Sequence, residues 1–120
     1  MNKAAITLYG IPNCDQVKKA RAWLTAQQID YCFHDFKRDG ISAALVEHWF
    51  QSHGWESLVN KRGTTWRALS IEQQAIDQSS ALALMLAQPS VIKRPVLDTG
   101  KHIKIGFSET DYQAMFSDVI

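Results

Sequence analysis

The chain has 120 residues, 46% of them hydrophobic and 21% charged, with a formal net charge of +1. Such a length makes one domain that buries a core without staples, and the near-neutral charge gives no electrostatic case for nucleic acid. No apolar run approaches a membrane span, no signal-peptide core follows Met1-Asn2-Lys3, and two cysteines are too few for a disulfide framework, so a cytoplasmic protein with reduced thiols is expected.

The apolar run from Ala4 to Tyr9 predicts a buried strand, which Gly10 and Pro12 should end. A helix is expected from about Cys14 to Gln28, with Val17, Ala20 and Leu24 on one face and Lys18, Lys19, Arg21 and Gln27 on a solvated one. Ile29-Asp30 breaks it, and the aromatic stretch Tyr31 to Phe36 predicts a second strand. Strand, helix and strand make a βαβ unit, so the two strands should run parallel through a right-handed crossover.

Asp39-Gly40 signals a turn, and no strand is expected from 42 to 88. Ser42 should cap a helix burying Leu45, Val46, Trp49 and Phe50, with Gly54 just past its end. Trp55 to Val59 suggests a short further turn. Ser70-Ile71-Glu72-Gln73 is a capping box, and Ala75 and Ile76 should continue the apolar face of the helix that it starts. Ser79 or Ser80 should cap the next helix, with Leu82, Met85 and Leu86 inward and Pro89 ending it. Val96-Leu97 and Ile103-Lys104-Ile105 predict a hairpin around Asp98-Thr99-Gly100-Lys101. Ser108 should cap a last helix whose Tyr112, Met115 and Phe116 face the core.

The order is β-α-β, a helical block, then β-β-α. It predicts an α/β chain with a mixed sheet on the thioredoxin-like plan: a single domain, with about 1–40 and 90–120 as the sheet core and about 41–89 as an inserted all-helical subdomain.

Cys14 lies where the first strand turns into the first helix. The first N–H groups of a helix lack partners and its dipole is positive there, so a thiolate is favoured, which is what a reactive cysteine needs. Lys18, one turn on, adds positive charge. A structural cysteine packed at a helix start is the alternative. Pro95 falls just before the third strand, where the thioredoxin-like plan sets a cis-proline facing the cysteine, so a cis Arg94-Pro95 bond is expected.

Other chemistries find no support. The histidines His34, His48, His53 and His102 form no metal spacing with Cys14 and Cys32. There is neither a phosphate-binding glycine loop nor a serine–histidine–acid arrangement. Arg67 reads as structural or solvated, Trp66 as a helix-packing residue and Cys32 as a small core residue.

Gly10-Ile11-Pro12-Asn13-Cys14-Asp15, Lys18-Lys19-Ala20, Arg62-Gly63-Thr64-Thr65-Trp66-Arg67 and Ile92-Lys93-Arg94-Pro95 together resemble the ArsC/Spx family, most closely its YffB branch. The resemblance implies Cys14 as a single nucleophile and glutathione as co-substrate, with no bound cofactor. It further implies Arg94, Lys18 and Arg62 as substrate-binding residues, with cis Pro95, Asn13 and Asn60 framing the site. Arsenate reductases of the family hold their oxyanion with three arginines. Only Arg94 carries over cleanly; Asn60 falls at the first of these, with Arg62 close enough to substitute, and Gly106 near the third. Spx-type regulators, which bind the RNA polymerase alpha subunit, sense oxidation through a Cys-x-x-Cys pair, but Val17 stands three residues after Cys14. The intervening helix spans roughly 20 Å, and a disulfide needs Cα atoms within about 7 Å, so Cys32 should not reach Cys14. The expectation is a monomeric, glutathione-dependent monothiol reductase. An Spx-type polymerase-binding regulator and a weak arsenate reductase are the alternatives.

Overall fold

The structure is a computed structural model that describes residues 6–117. The chain divides into two compact units: a sheet unit built from the segments up to Asp39 and from Arg94 onward, and a helical unit, Gly40–Lys93.

The sheet unit contains β1 (Thr7–Gly10), α1 (Asp15–Ala26), β2 (Cys32–Asp35), α2 (Phe36–Asp39), β3 (Val96–Asp98), β4 (Ile103–Ile105) and a last helix, Glu109–Met115. Its strand order is β2-β1-β3-β4, with β1 and β2 parallel and β1, β3 and β4 successively antiparallel. This mixed sheet is the thioredoxin-like arrangement expected from the element order. Side chains alternate across a strand, so Leu8, Phe33 and Leu97 share one face. There Leu8 and Leu97 join Ala20, Trp23, Leu24, Ile29, Tyr112 and Phe116 in one buried cluster. Each large side chain in it contributes about 1.5–3 kcal/mol by leaving water.

The boundaries differ from the sequence reading for identifiable reasons. Of the strand expected over Ala4 to Tyr9, Ala4 and Ala5 lie outside the described residues, and the strand continues through Gly10. Cys14 is the N-cap of α1, one residue before its first turn. At the other end Gln28 adopts φ 60°, the Gln28 N–H donates to Thr25 O and the Ile29 N–H to Leu24 O, both at 3.0 Å. This is a Schellman ending built without glycine, and it delivers Ile29 to the core beside Leu24. Arg21, expected on the solvated face, stacks over the Phe33 ring at 4.1 Å, and its Nε donates to the Tyr31 hydroxyl at 3.0 Å. Phe36 does not extend β2. Asp35 Oδ1 accepts the Lys37 N–H at 2.9 Å and turns the backbone into α2.

In α2, the Arg38 guanidinium bonded to Asp39, together with the Asp35 N–H, holds the Asp39 carboxyl down at about 2. A depressed carboxyl favours the fold above its unfolded value, and that support is lost as pH falls through the folded one. In a carbon-detected carboxyl titration Asp39 should have its midpoint at about 2, and Arg38→Gln should move it up toward the ordinary carboxylate range. An unmoved midpoint would exclude the guanidinium as the cause.

Tyr112 is fully buried, edge-on to Trp23 and Phe107, and its hydroxyl makes no hydrogen bond. An unpaired buried hydroxyl is a cost. Tyr112→Phe should therefore raise stability, by up to about 1 kcal/mol. Burial also pushes the phenol up. Neutral Tyr112 thus supports the fold below about pH 10, where an unfolded tyrosine titrates, and the support drains away above it. Urea unfolding at neutral pH and at about pH 11 should show the phenylalanine variant losing less stability in base than its parent.

The helical unit contains α3 (Ala43–His53), α4 (Trp55–Leu58), α5 (Thr64–Arg67), α6 (Ile71–Gln74), α7 (Gln78–Ala87) and a single 3-10 turn, Pro89–Val91. Ser42 Oγ accepts the Leu45 N–H at 3.2 Å, and α3 buries Val46, Trp49 and Phe50 as its pattern predicts, while Leu45 is only half-buried. The Ser70–Gln73 capping box is present, but α6 stops at Gln74. Ala75, expected on its apolar face, is exposed, and Ile76 is half-buried but past the helix end; Ile71 at its start is 86% exposed. Asp77, not Ser79 or Ser80, caps α7, and Ser80 returns the bond from the third helical position. Met85 and Ala81 are buried there, with Leu82 and Leu86 only half so. The bounds of the short α5 were not anticipated, but it buries Trp66, which was read as a helix-packing residue. Nor was the antiparallel bridge Val59–Ile92, flanked by Asn60 N–H to Val91 O and Lys93 N–H to Leu58 O, each 2.7 Å.

Candidate functional site

The segment Gly10 to Asp15 converts a strand into a helix in few residues, and each contributes to the conversion. A Cβ on Gly10 would lie 2.7 Å from Val17 Cγ2, so only glycine lets the strand end pass the fully buried Val17. Ile11 is buried, Pro12 and Asn13 are exposed, and the Cys14 N–H donates to Ile11 O at 3.1 Å to close the turn. Cys14 is extended, at φ −80° and ψ 128°, and its carbonyl accepts the Lys18 N–H at 3.0 Å to open α1. Its sulfur makes no capping bond and the residue is partly exposed. A partly exposed thiol therefore stands at the start of a 12-residue helix, where unpaired N–H groups and the dipole are positive. Lys18 is exposed one turn along.

The strand register brings a second segment to the same end of the sheet. Tyr9 pairs with Val96 in the antiparallel ladder, and one further step sets Pro95 beside Gly10. The Arg94-Pro95 bond is cis, as expected. The Pro95 carbonyl accepts the Gly106 N–H at 2.8 Å, which continues the row past β4. Gly106 has φ 81°, and a Cβ there would meet no atom within 4 Å. Pro95 is buried and Arg94 half-buried. Within the sheet unit, then, Asn13 and Cys14 follow the end of β1, Arg94 and Pro95 precede the β3 residue paired with Tyr9, and Lys18 is a turn into the helix.

Asn60 and Arg62 belong to the helical unit. Asn60 Oδ1 accepts the Arg62 N–H at 3.3 Å, and Asn60 Nδ2 would be 2.9 Å from a Cβ on Gly63. Asn60 thus shapes the turn into α5, while Arg62 is exposed. Arg67 is exposed too.

Cys32 pairs with Thr7 at the start of β1, whereas Cys14 follows its end, so the two thiols are at opposite ends of the sheet. Cys32 is exposed on an edge strand rather than packed in the core. Alternation puts it on the face opposite the buried cluster, a distinction that a short aromatic run does not reveal. Among the described residues no group of three or more histidine, cysteine or acidic side chains is placed to hold a metal, and no helix is long and apolar enough to cross a membrane.

Comparison with known proteins places this geometry in a family. The ArsC family model matches residues 9–115. A solved structure named YFFB protein is 46% identical, with a TM-score of 0.87, and the match covers 91% of this chain and 96% of that one. The solution structure of an arsenate reductase (ArsC) related protein from Brucella melitensis is 44% identical, with a TM-score of 0.77 and coverage of 97% and 98%. The global transcriptional regulator Spx of Streptococcus pyogenes is 29% identical over 117 residues, or 93% of this chain and 85% of Spx.

Proposed function

The chain belongs to the ArsC family and is arsenate reductase-like, and within that family we propose that it is a glutathione-dependent monothiol reductase with Cys14 as nucleophile. The observation that carries this reading is a partly exposed cysteine at the N-cap of α1 with no second thiol in reach. Position 17 holds a buried valine, and Cys32 is at the far end of the sheet.

The Cys14 thiolate attacks one sulfur of a disulfide, such as a mixed disulfide of glutathione with a substrate thiol. One S–S bond breaks as another forms between Cys14 and glutathione, and the displaced substrate thiolate takes a proton from water. A second glutathione, as thiolate, then attacks the glutathionyl sulfur. Cys14 leaves as thiolate and oxidised glutathione departs. In sum, a mixed disulfide and one glutathione become a free thiol and oxidised glutathione. Arg94 and Lys18 bind the glutathione carboxylates, since a guanidinium fork suits a carboxylate in two-point contact. Asn13 and cis Pro95 frame the bound tripeptide. No resident cofactor enters, and a monomer in a glutathione-rich cytoplasm suits the cycle.

Incubation with oxidised glutathione, followed by intact-mass and peptide analysis, tests this. A glutathionyl adduct on Cys14 that excess glutathione removes is expected. An adduct confined to Cys32, or none, would end the proposal.

The likeness to Spx supports a second reading, a regulator that docks on the RNA polymerase alpha subunit. Capture of that subunit by a chain without glutathione turnover would favour it. Arsenate reduction is weaker: Asn60 is engaged in its own turn and Gly106 carries no side chain where two further arginines would help hold an oxyanion. Cells protected from arsenate by the parental protein but not by Cys14→Ser would restore it.

A further inference from the structure

β2 is an outer strand of the sheet. The Cys32 N–H donates to Ile6 O at 2.9 Å, and the parallel register turns the main-chain groups of Cys32 and His34 toward β1. In such a ladder the alternate residues, Phe33 and Asp35, direct both their N–H and C=O groups outward. An outward row of this kind templates pairing with another chain.

Here the row is occupied by α2. The Asp35 N–H donates to Asp39 Oδ2 at 3.0 Å, and the Phe33 carbonyl accepts from Arg38 Nη2 at 3.4 Å. Arg38 Nε and Nη2 also fork onto the Asp39 carboxylate, at 3.0 and 2.8 Å. The two side chains are 65% and 36% exposed. Hydrogen bonds and charge, not packing, hold them over the edge.

We infer that Arg38 and Asp39 form a clasp that closes the outer edge of β2 against pairing with a second copy of this chain. The occupant follows from the strand itself. Phe33 and Asp35 flank His34 symmetrically, so two copies meeting antiparallel about His34 pair Phe33 of each with Asp35 of the other. Each such pair exchanges both main-chain bonds. The open edge is therefore complementary to itself, and the clasp removes one donor and one acceptor from every copy.

Asp39→Ala removes the acceptor of the Asp35 amide and the partner of the Arg38 fork, leaving Arg38 only its 3.4 Å bond to the Phe33 carbonyl. Arg38→Gln removes the fork and leaves Asp39 on the Asp35 amide. Two measurements on the full chain test the inference: amide hydrogen exchange at Asp35 across a concentration series, and sedimentation. Dilute Asp39→Ala should exchange the Asp35 amide about tenfold faster or more, then regain protection as it dimerises at higher concentration; Arg38→Gln should show a smaller change. The register is read by adding His34→Cys to chains carrying Cys14→Ser and Cys32→Ser. His34 faces its counterpart in a non-hydrogen-bonded pair with Cα atoms about 4.5 Å apart, within disulfide reach, so crosslinking should follow Asp39→Ala and be absent with the clasp intact. A folded Asp39→Ala protein whose Asp35 amide exchanges at the parental rate would overturn the clasp. One that exchanges fast yet stays monomeric at every concentration would overturn its role against self-pairing. Should Asp39→Ala fail to fold, Arg38→Gln, which frees the Phe33 carbonyl, decides by sedimentation: dimers at high concentration are expected, and a monomer at every concentration would overturn the role against self-pairing.

Discussion

On the proposed reading, replacing Cys14 by serine should lower turnover of a glutathione mixed disulfide by several orders of magnitude. The step needs a thiolate that becomes half of a new disulfide, and a hydroxyl cannot take that place. The substitution is unusually clean because the fold does not depend on the sulfur. Cys14 is partly exposed, lies outside the buried cluster and makes no capping bond. Serine is among the best N-cap residues, so its oxygen can accept an N–H that sulfur leaves alone, and the variant should match its parent or gain up to about 1 kcal/mol. Activity and stability then move in opposite directions at one atom. Cys32→Ser is the matched control and should leave turnover unchanged. Retained turnover in Cys14→Ser, or its loss in Cys32→Ser, would assign the chemistry elsewhere.

The position of Cys14 was legible in the sequence because local rules fix it. An apolar run, two breakers and a helical period leave little freedom in where the helix starts, and Ser42, Ser70 and Ser108 mark their helices by the same logic. Pro95 was legible for a different reason: the returning strand must pair with β1, which brings the residue before it to the end of β1. What escaped the sequence depends on partners distant in the chain or on the choice between equivalent caps. Arg21 looks like one more cation on a polar face until Phe33 and Tyr31 come beneath it. Asp77 and Ser80 both suit a cap, and the helix uses them as a reciprocal pair, which puts its start at the earlier residue. The α2 turn hides inside an aromatic strand pattern, because a single Asp35 hydrogen bond ends the strand. Asn60 falls where the resemblance sets an arginine, and its side chain serves the local turn toward Gly63. Residue identity at a motif position therefore says less about Asn60 than about Cys14, whose environment is set by the same few residues that identify it.

Gly10→Ala should be the most damaging small change near the site. The backbone at Gly10 is not left-handed, so the cost comes from space alone: the added methyl would sit 2.7 Å from Val17 Cγ2, inside contact distance. Val17 is fully buried, with no room to yield, so the start of α1 must move away from β1. Overpacking of this kind costs about 1–3 kcal/mol, and the displacement is passed to Cys14, which lies between the two residues. Alkylation of Cys14 should change with stability, while Cys32, at the other end of the sheet, keeps its parental rate. The same contact predicts a rescue. Val17→Ala alone opens a cavity and costs about 1–3 kcal/mol. In the Gly10→Ala background it removes the clashing methyls, so the double variant should be more stable than the two separate costs imply, by about 1 kcal/mol or more. Urea unfolding of the four proteins in this cycle measures that coupling. Strict additivity would mean that the strand end and the helix start are not pressed together at Val17, and the link from Gly10 to the placement of Cys14 would be broken.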